Sequence, residues 1–200
     1  MTAQDLQDLL FSGVDGYSLS SRGRERASNY TENMTYGEIT PDVTRQMLTA
    51  VGAKDGETFY DLGAGTGKGV IYAAFLFNLG KSVGVELLEE LAGAAQQVLD
   101  KYNNEIRPQL PPEKHTQHIA IVNDDMLKHD FSDADIVYTH CTCFSPELMA
   151  GITQRCEQLK PGARVITVSK GMESPHLQYI GSEPCQMGWG CATLYFYKRV

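Results

Sequence analysis

The stretch FYDLGAGTGKG, which runs from Phe59 to Gly69, decides the fold class of this chain of 200 residues. Asp61 follows two aromatic residues. After it, glycine occupies every second position from 63 to 69, namely Gly63, Gly65, Gly67 and Gly69. Glycine lets the backbone turn tightly and lets a ligand approach without meeting a Cβ. Because ligands of open parallel sheets bind beyond the carboxyl ends of the strands, we predict a binding site at this turn.

Strands and helices alternate on both sides of the turn. Strands are predicted at 58–62, 82–87, 118–123, 135–139, 164–169 and in the tail 191–198, with helices at 2–12, 67–79, 88–102 and 146–159. A further helix is predicted to begin at the cap Thr40 and Pro41. The remaining polar or Pro-containing stretches, 13–35, 103–117 and 171–190, are predicted to be loops. This alternation predicts one α/β domain with a mainly parallel sheet and helices on both faces.

Composition and charge exclude several classes of protein. The net charge of −8 argues against binding that is dominated by nucleic-acid phosphates, even with three arginines at 22, 24 and 26. Five cysteines, an odd number, do not suggest a disulfide framework, so we expect a reducing compartment, either the nucleus or the cytoplasm. No apolar run is long enough to span a bilayer, and no secretory signal follows Met1.

Two common phosphate-binding motifs do not fit the glycine turn. A P-loop needs Ser or Thr after its Gly-Lys pair, whereas Lys68 is followed by Gly69. A dinucleotide turn needs Gly or Ala at its sixth position, which Lys68 or Val70 would occupy.

A third pattern fits better, because acidic residues end the first two predicted strands. Glu86 lies 25 residues after Asp61, and a carboxylate there can accept hydrogen bonds from both hydroxyls of a ribose. Asp61 can hold an ammonium group close to the turn. An adenosyl ligand that carries an ammonium and no phosphate is S-adenosyl-L-methionine, and we predict it as the cofactor.

Longer motifs resemble a known family. The stretch DLGAGTG followed by GVELL resembles the core of class I, seven-stranded, Rossmann-like methyltransferases. TYGEITPDVTRQML, NDDML, FSPE and GARVITVSK resemble, more narrowly, the disruptor-of-telomeric-silencing family of non-SET histone lysine methyltransferases. This resemblance spans about residues 34–199. It implies a catalytic domain at 41–200, and we expect an N-terminal helix and a lid-like segment at 1–40.

The resemblance also implies a set of cofactor-binding residues. Tyr36 and Glu38 match the family's YGE segment, which lines the pocket. Residues that match the contacts to the methionine part, the ribose and the adenine are Asp61, Gly63, Gly65, Gly67, Glu86, Asp125 and Met126. Lys68 stands where the family usually has glutamine, and it points either at the cofactor's carboxylate or to solvent.

The acceptor end departs from the family pattern. His140 and Cys141 occupy the positions of an asparagine pair, and Trp189 with the run 195–197 resembles the strand that walls a lysine channel. His140, Cys141 and Trp189 are therefore the candidate catalytic residues. No metal is predicted, because His140, Cys141 and Cys143 lack a fourth ligand.

These observations predict a protein lysine N-methyltransferase whose acceptor is a protein, with histone as one candidate. Two alternatives remain open. One is a class I methyltransferase that acts on a small molecule or a non-histone protein, and the other is a non-catalytic module that binds S-adenosyl-L-methionine. We expect neither nucleic-acid contact by this chain alone nor membrane association.

Overall fold

The central feature of the fold is a sheet of seven strands, seen in a computed structural model that describes residues 1–26 and 36–200. The strands in chain order are β1 (Thr58–Leu62), β2 (Lys81–Glu86), β3 (His118–Asn123), β4 (Ile136–Thr139), β5 (Arg164–Val168), β6 (Leu177–Met187) and β7 (Gly190–Arg199). Their order across the sheet is β3-β2-β1-β4-β5-β7-β6. The first five pair in parallel, and β7 runs antiparallel between β5 and β6.

Helices cover both faces of this sheet. They are α1 (Ala3–Phe11), α2 (Gly16–Arg26), α3 (Pro41–Ala50), α4 (Lys68–Leu76), α5 (Glu89–Lys101), α6 (Pro112–His115) and α7 (Pro146–Cys156). Side chains of α1, α3, α4 and α5 form one apolar core with Phe59 and Ile136. The neighbouring residues Tyr60 and Val137 point to the opposite face and pack with α7. Alternating side chains therefore bury both faces, and the predicted doubly covered α/β sheet is confirmed.

Local capping explains where three helices begin. The side chain of Thr2 accepts from the backbone N–H of Asp5, whose carboxylate accepts in return from Thr2, so α1 starts with a capping box. The side chains of Thr40 and Ser145 accept from the backbone N–H groups of Val43 and Leu148 and so cap α3 and α7, without the reciprocal bond of a capping box, and each cap is followed by proline.

One of the predicted loops contains a helix. Residues 16–26 form α2, although their many glycines and serines lower helix propensity. The buried positions Gly16, Ser20 and Gly23 recur at helical spacing. Small residues on one face let α2 pack closely on the rest of the protein, so tertiary contact overrides propensity. The rest of that predicted loop, 27–35, lies outside the described residues.

A second predicted loop contains the edge strand β6. The prediction of a loop over 171–190 was wrong, because 177–187 pair along their length with β7. Apolar and polar residues need not alternate cleanly along an edge strand. This strand has an irregular register at Gly181 and contains Pro184. The stretch 103–117 is a connection made of short helical turns.

The sheet brings the ends of three strands to one edge. Leu62, Glu86 and Thr139 end β1, β2 and β4, and these strands are parallel neighbours. The glycine turn, the end of β2 and the loop after β4 therefore lie side by side. Within the described residues, no helix is both long and apolar enough to cross a membrane.

Candidate active site

The glycine turn at the end of β1 takes a backbone shape that only glycine adopts without strain. Gly63, Gly65 and Gly67 have φ angles of 89°, 56° and 82°. A Cβ on Gly65 would lie 2.6 Å from Cε2 of Tyr36, so a side chain there has no room. Gly67 instead caps α4, and its substitution would press on Ala95 at 3.2 Å. Gly63 and Gly65 line a cavity of about 250 Å³, the main cavity of the site.

Glu86 supplies a buried carboxylate to this cavity. Its Oε2 accepts from the backbone N–H of Gly65 at 2.8 Å, and its Oε1 accepts from Leu88 at 2.9 Å. Burial nonetheless raises the pKa of this carboxyl, because its desolvation outweighs these hydrogen bonds. Each oxygen keeps a second lone pair, so the group can accept from a pair of ligand hydroxyls.

Asp61 lies beside a smaller cavity and has an unsatisfied oxygen. Its Oδ1 is buried without a hydrogen-bond partner among the described residues. Burial, with a smaller contribution from nearby Glu86, raises the pKa of Asp61 to about 8. A buried carboxyl group of this kind is stabilised by a cation or a hydrogen-bond donor from a ligand.

The segment 36–38 closes this end of the site. The hydroxyl of Tyr36 donates to Oε1 of Glu38 at 2.9 Å and lies 2.8 Å from the hydroxyl of Thr66. Lys68 forms an ion pair with Oε2 of Glu38 at 2.6 Å and lies over the ring of Phe11. The lysine therefore points neither to solvent nor freely into the site, because Glu38 already neutralises it.

The opposite end of the main cavity is apolar with one acid. The side chain of Asp125 accepts from the backbone of Leu127 at 2.9 Å and pairs with Lys128 at 3.2 Å. Met126 packs towards Gly63, where a Cβ would lie 3.5 Å from its methyl group. Apolar side chains complete this wall, namely Leu87, Leu88, Leu91, Leu127, Phe144 and Leu148. This end suits a flat heterocycle with an exocyclic amine.

His140 and Trp189 stack on one another near Tyr36. Their ring centroids are 5.5 Å apart and their planes differ by 24°. Burial lowers the pKa of His140 to about 4, so the imidazole is neutral at pH 7. His140 lines the main cavity, whereas Trp189 is 39% exposed.

Other residues predicted for the acceptor end lie in the core. The thiol of Cys141 is buried and donates to the carbonyl of Val168 at 3.0 Å. Phe196 and Tyr197 are buried in the two apolar cores, and Tyr195 packs against one of them. The geometry therefore gives no support to a catalytic role for Cys141 or to a channel wall made by 195–197. Among the described residues, no group of acids, histidines and cysteines could hold a metal ion.

The structure thus brings together most of the predicted site residues. The main cavity is lined by Tyr36, Gly63, Gly65, Glu86, Asp125, Met126 and His140, and the smaller one by Glu38 and Asp61. Sequence reasoning missed Thr66 and the leucines of the apolar wall. Leu91 and Leu148 occupy apolar positions near the starts of α5 and α7, where a pattern cannot separate a cavity wall from a core.

Comparison with known proteins gives a match to a family and to its members. The family model described as histone methylation protein DOT1 matches residues 23–182. A histone-lysine N-methyltransferase of Dictyostelium discoideum, specific for lysine 79 of histone H3, is 32% identical over 66% of this chain and only 7% of its own length. A protein-lysine N-methyltransferase of Saccharolobus islandicus is 29% identical over 70% of this chain and 78% of its own.

Solved structures share the fold at lower identity. An RNA methyltransferase from Salinibacter ruber, in complex with S-adenosyl-L-homocysteine, has a TM-score of 0.62 at 21% identity. The match covers 79% of this chain and 90% of the other. The sheet and its helices therefore have the architecture of class I, Rossmann-like methyltransferases.

Proposed function

Because this chain belongs to the DOT1 family of histone methylation proteins, we propose that it transfers a methyl group from S-adenosyl-L-methionine to a lysine side chain of a protein. The observation that carries this proposal is the pair of buried carboxyl groups at the glycine turn. Oδ1 of Asp61 has no hydrogen-bond partner among the described residues, and Glu86 faces the main cavity. The carboxyl group of Asp61 fits an ammonium group, and that of Glu86 fits a ribose diol.

The residues present fit this cofactor along its whole length. Asp61 would hold the amino group of the methionine part, and Glu86 the two ribose hydroxyls. Asp125 would accept from the adenine amine, with Met126 against the ring. Gly63 and Gly65 supply the close backbone approach, and Gly67 turns the chain into α4. Tyr36 and Glu38 close the methionine end.

Catalysis by this chain consists of alignment and exclusion of water. When bound, S-adenosyl-L-methionine supplies a sulfonium-activated methyl group that an amine can displace in line. Holding such reactants in line contributes up to about 7–11 kcal/mol in favourable cases. Tyr36 and His140 are uncharged and shield the end of the cavity where the amine would arrive. An apolar wall favours the neutral amine, which is the nucleophilic form.

The N-terminal helices fit the role of a lid over this site, with residues 41–200 as the catalytic domain. A Cβ on Gly16 would lie 2.4 Å from the ring of Tyr36, and Tyr17 packs edge-on against that ring. Likewise, an ideal Cβ on Gly23 would lie 3.3 Å from Cβ of Leu88. Helix α2 therefore covers a residue at each end of the main cavity.

We propose that the acceptor is a lysine of a protein inside the cell, in the nucleus or the cytoplasm. Relatives that act on histone H3 and on protein lysine support this class. The net charge of −8 disfavours unaided binding to nucleosomal DNA. Histone is therefore one candidate acceptor to be tested beside others.

Calorimetry with S-adenosyl-L-methionine tests the cofactor assignment. We expect Glu86→Gln to weaken binding by about 10–100-fold, the range for hydrogen bonds to a charged group. Glu89→Gln, an exposed acid in the first turn of α5, is the matched control and should bind as the wild type. Absence of binding by the wild type would refute the proposed function.

Labelled methyl transfer then identifies the acceptor. Free histones, nucleosomes and whole-cell extract are compared, and acid hydrolysis of labelled protein shows whether the methyl group is on lysine. Label in small molecules alone would support a small-molecule enzyme. Binding without transfer to any acceptor would support the non-catalytic module.

A further inference from the structure

Three segments that are far apart in sequence meet at the acceptor end of the cavity. They are the segment 36–38, the loop after β4 and the turn between β6 and β7. An ideal Cβ on Gly37 would lie 2.3 Å from Cε1 of His140 and 3.2 Å from Nε1 of Trp189. We call Gly37, His140 and Trp189 the entrance wall. Its close packing requires glycine at position 37.

His140 is the member of the entrance wall that contacts both others. One face of its ring stacks on Trp189, and its edge lies against Gly37, where an ideal Cβ would lie 3.0 Å from Nδ1. Its Nε2 lies 3.2 Å from the hydroxyl of Thr142, which in turn lies within hydrogen-bond distance, 3.0 Å, of the hydroxyl of Ser169. A ring engaged on its face and its edges is held in one orientation.

The loop that carries His140 is fixed to the turn after β5. Besides the contact between Thr142 and Ser169, the thiol of Cys141 donates to the carbonyl of Val168, and Lys170 donates to the carbonyl of Phe144. Ser169 has a φ of 67°, the single positive value at a non-glycine residue in the described part of the chain. Such strain persists only where the surroundings determine the conformation, so His140 stands on a rigid base.

We propose that His140 is a positioning residue, whose ring holds the indole of Trp189 against Gly37 and so forms the wall past which the acceptor enters. This role rests on the proposed methyl transfer, because it is the acceptor that uses the entrance. The alternative is that His140 removes a proton from the acceptor. The neutral, hydrogen-bonded ring, with its pKa lowered to about 4, fits positioning better than proton removal.

Fluorescence tests the positioning without any assumption about activity, because Trp189 is the single tryptophan of the chain. We expect His140→Ala to shift its emission to longer wavelength and to raise its acrylamide quenching constant about twofold, as the stacked face becomes exposed. His140→Gln, which can still hydrogen-bond Thr142 but lacks the ring, should do the same if His140→Ala fails to fold. His176→Ala, at an exposed histidine, is the control. Unchanged emission and quenching in both variants at position 140 would overturn the proposal.

Kinetics separate positioning from proton removal. We expect His140→Ala and Trp189→Ala each to raise the KM for the acceptor by up to about tenfold, the upper range for an aromatic pair, with kcat within about threefold of wild type. The double variant should be no worse than either single one, because both remove the same wall. A fall in kcat of about 100-fold in His140→Ala at unchanged KM would instead identify a base. If the wild type transfers no methyl group, the proposed function fails, and the fluorescence still decides whether His140 positions Trp189.

Discussion

Two parts of the site, the cofactor end and the acceptor end, differ in how their residues are assembled. At the cofactor end, Asp61, the glycines and Glu86 come from two consecutive strands and the turn between β1 and α4. At the acceptor end, Gly37, His140 and Trp189 come from three distant segments that meet only in the folded protein.

The electrostatics of the two ends differ as well. The cofactor end holds two buried carboxyl groups, with raised pKa values. At the acceptor end, the ring of His140 is neutral at pH 7, because burial lowers its pKa to about 4. We propose that one end binds a polar, cationic ligand and that the other shapes the passage of the acceptor. Variants that disturb one end and spare the other test this division.

The largest effect is expected from Asp61→Asn at the cofactor end. An amide cannot ionise to pair with the ligand's ammonium group, so binding of S-adenosyl-L-methionine at pH 8 should weaken by about 100-fold or more, as for one partner of a buried ion pair. Asp100→Asn, at an exposed acid of α5, should bind normally in the same calorimetric titration.

The same variant should stabilise the ligand-free protein. The raised pKa means that ionisation of Asp61 opposes folding, so its stabilising contribution is complete below about pH 4 and is lost as pH rises to about 8. Asp61→Asn should therefore raise Tm by about 2–4 °C or more at pH 8, with a smaller gain at pH 5. A lower Tm at both pH values would contradict this account of Asp61.

Binding itself should depend on pH through Asp61. An ammonium beside the carboxylate lowers its pKa, so binding near pH 6.5 releases a proton from a group whose pKa is about 8 in the free protein. Affinity should rise by up to about tenfold per pH unit from pH 5.5 to 7. Calorimetry in buffers of different ionisation enthalpy measures the proton released, and zero release would argue against a protonated Asp61.

A smaller effect is expected from Gly37→Ala at the acceptor end. The added methyl group would overlap His140 at 2.3 Å and displace the entrance wall. We expect methyl transfer to fall about tenfold while cofactor affinity changes by less than about threefold. Gly93→Ala, with open space around its Cβ, is the control and should leave both quantities unchanged. Equal losses of binding and transfer would show that the two ends are not separable.

A still smaller effect concerns the proposed lid, which includes α2. Trypsin can cleave after the arginines of this helix, and bound cofactor should slow cleavage there by about threefold or more, since it favours the closed arrangement. Cleavage after the exposed Lys54, in the turn before β1, serves as the internal control. The same rates at α2 with and without cofactor would count against a lid.

The smallest effect on activity is expected at Cys141. Cys141→Ser keeps a donor to the carbonyl of Val168 and should leave methyl transfer within about twofold of wild type. The free energy of unfolding should fall by about 1–2 kcal/mol, as usual for a polar change in a core. A large loss of transfer with normal stability would restore Cys141 as a candidate catalytic residue.

The cofactor end could be predicted from sequence because its geometry is local. An acid at the end of one strand, glycines directly after it and an acid at the end of the next strand lie together in any parallel sheet with this strand order. Spacing alone therefore predicted that Asp61 and Glu86 lie together, whereas the prediction of Tyr36, Asp125 and Met126 required the resemblance to a family.

The acceptor end could not be predicted in the same way. Cys141 turns into the core, whereas its neighbour His140 faces the cavity. No local sequence pattern distinguishes these two positions. The stacking of His140 on Trp189 depends on where the β6–β7 hairpin ends. Helix α2 and strand β6 were likewise missed, since one contains weak helix formers and the other is an irregular edge strand.

By itself, the sequence determined the α/β class, the parallel core of the sheet and the turn that faces the cofactor, since these follow from periodicity and from residues close together in the chain. The tertiary structure decided which side chains form the entrance wall, that Glu38 neutralises Lys68, and that α2 covers the cavity. Those features depend on contacts between distant segments. Their positions are set by the packing of both faces of the sheet, which no local pattern encodes.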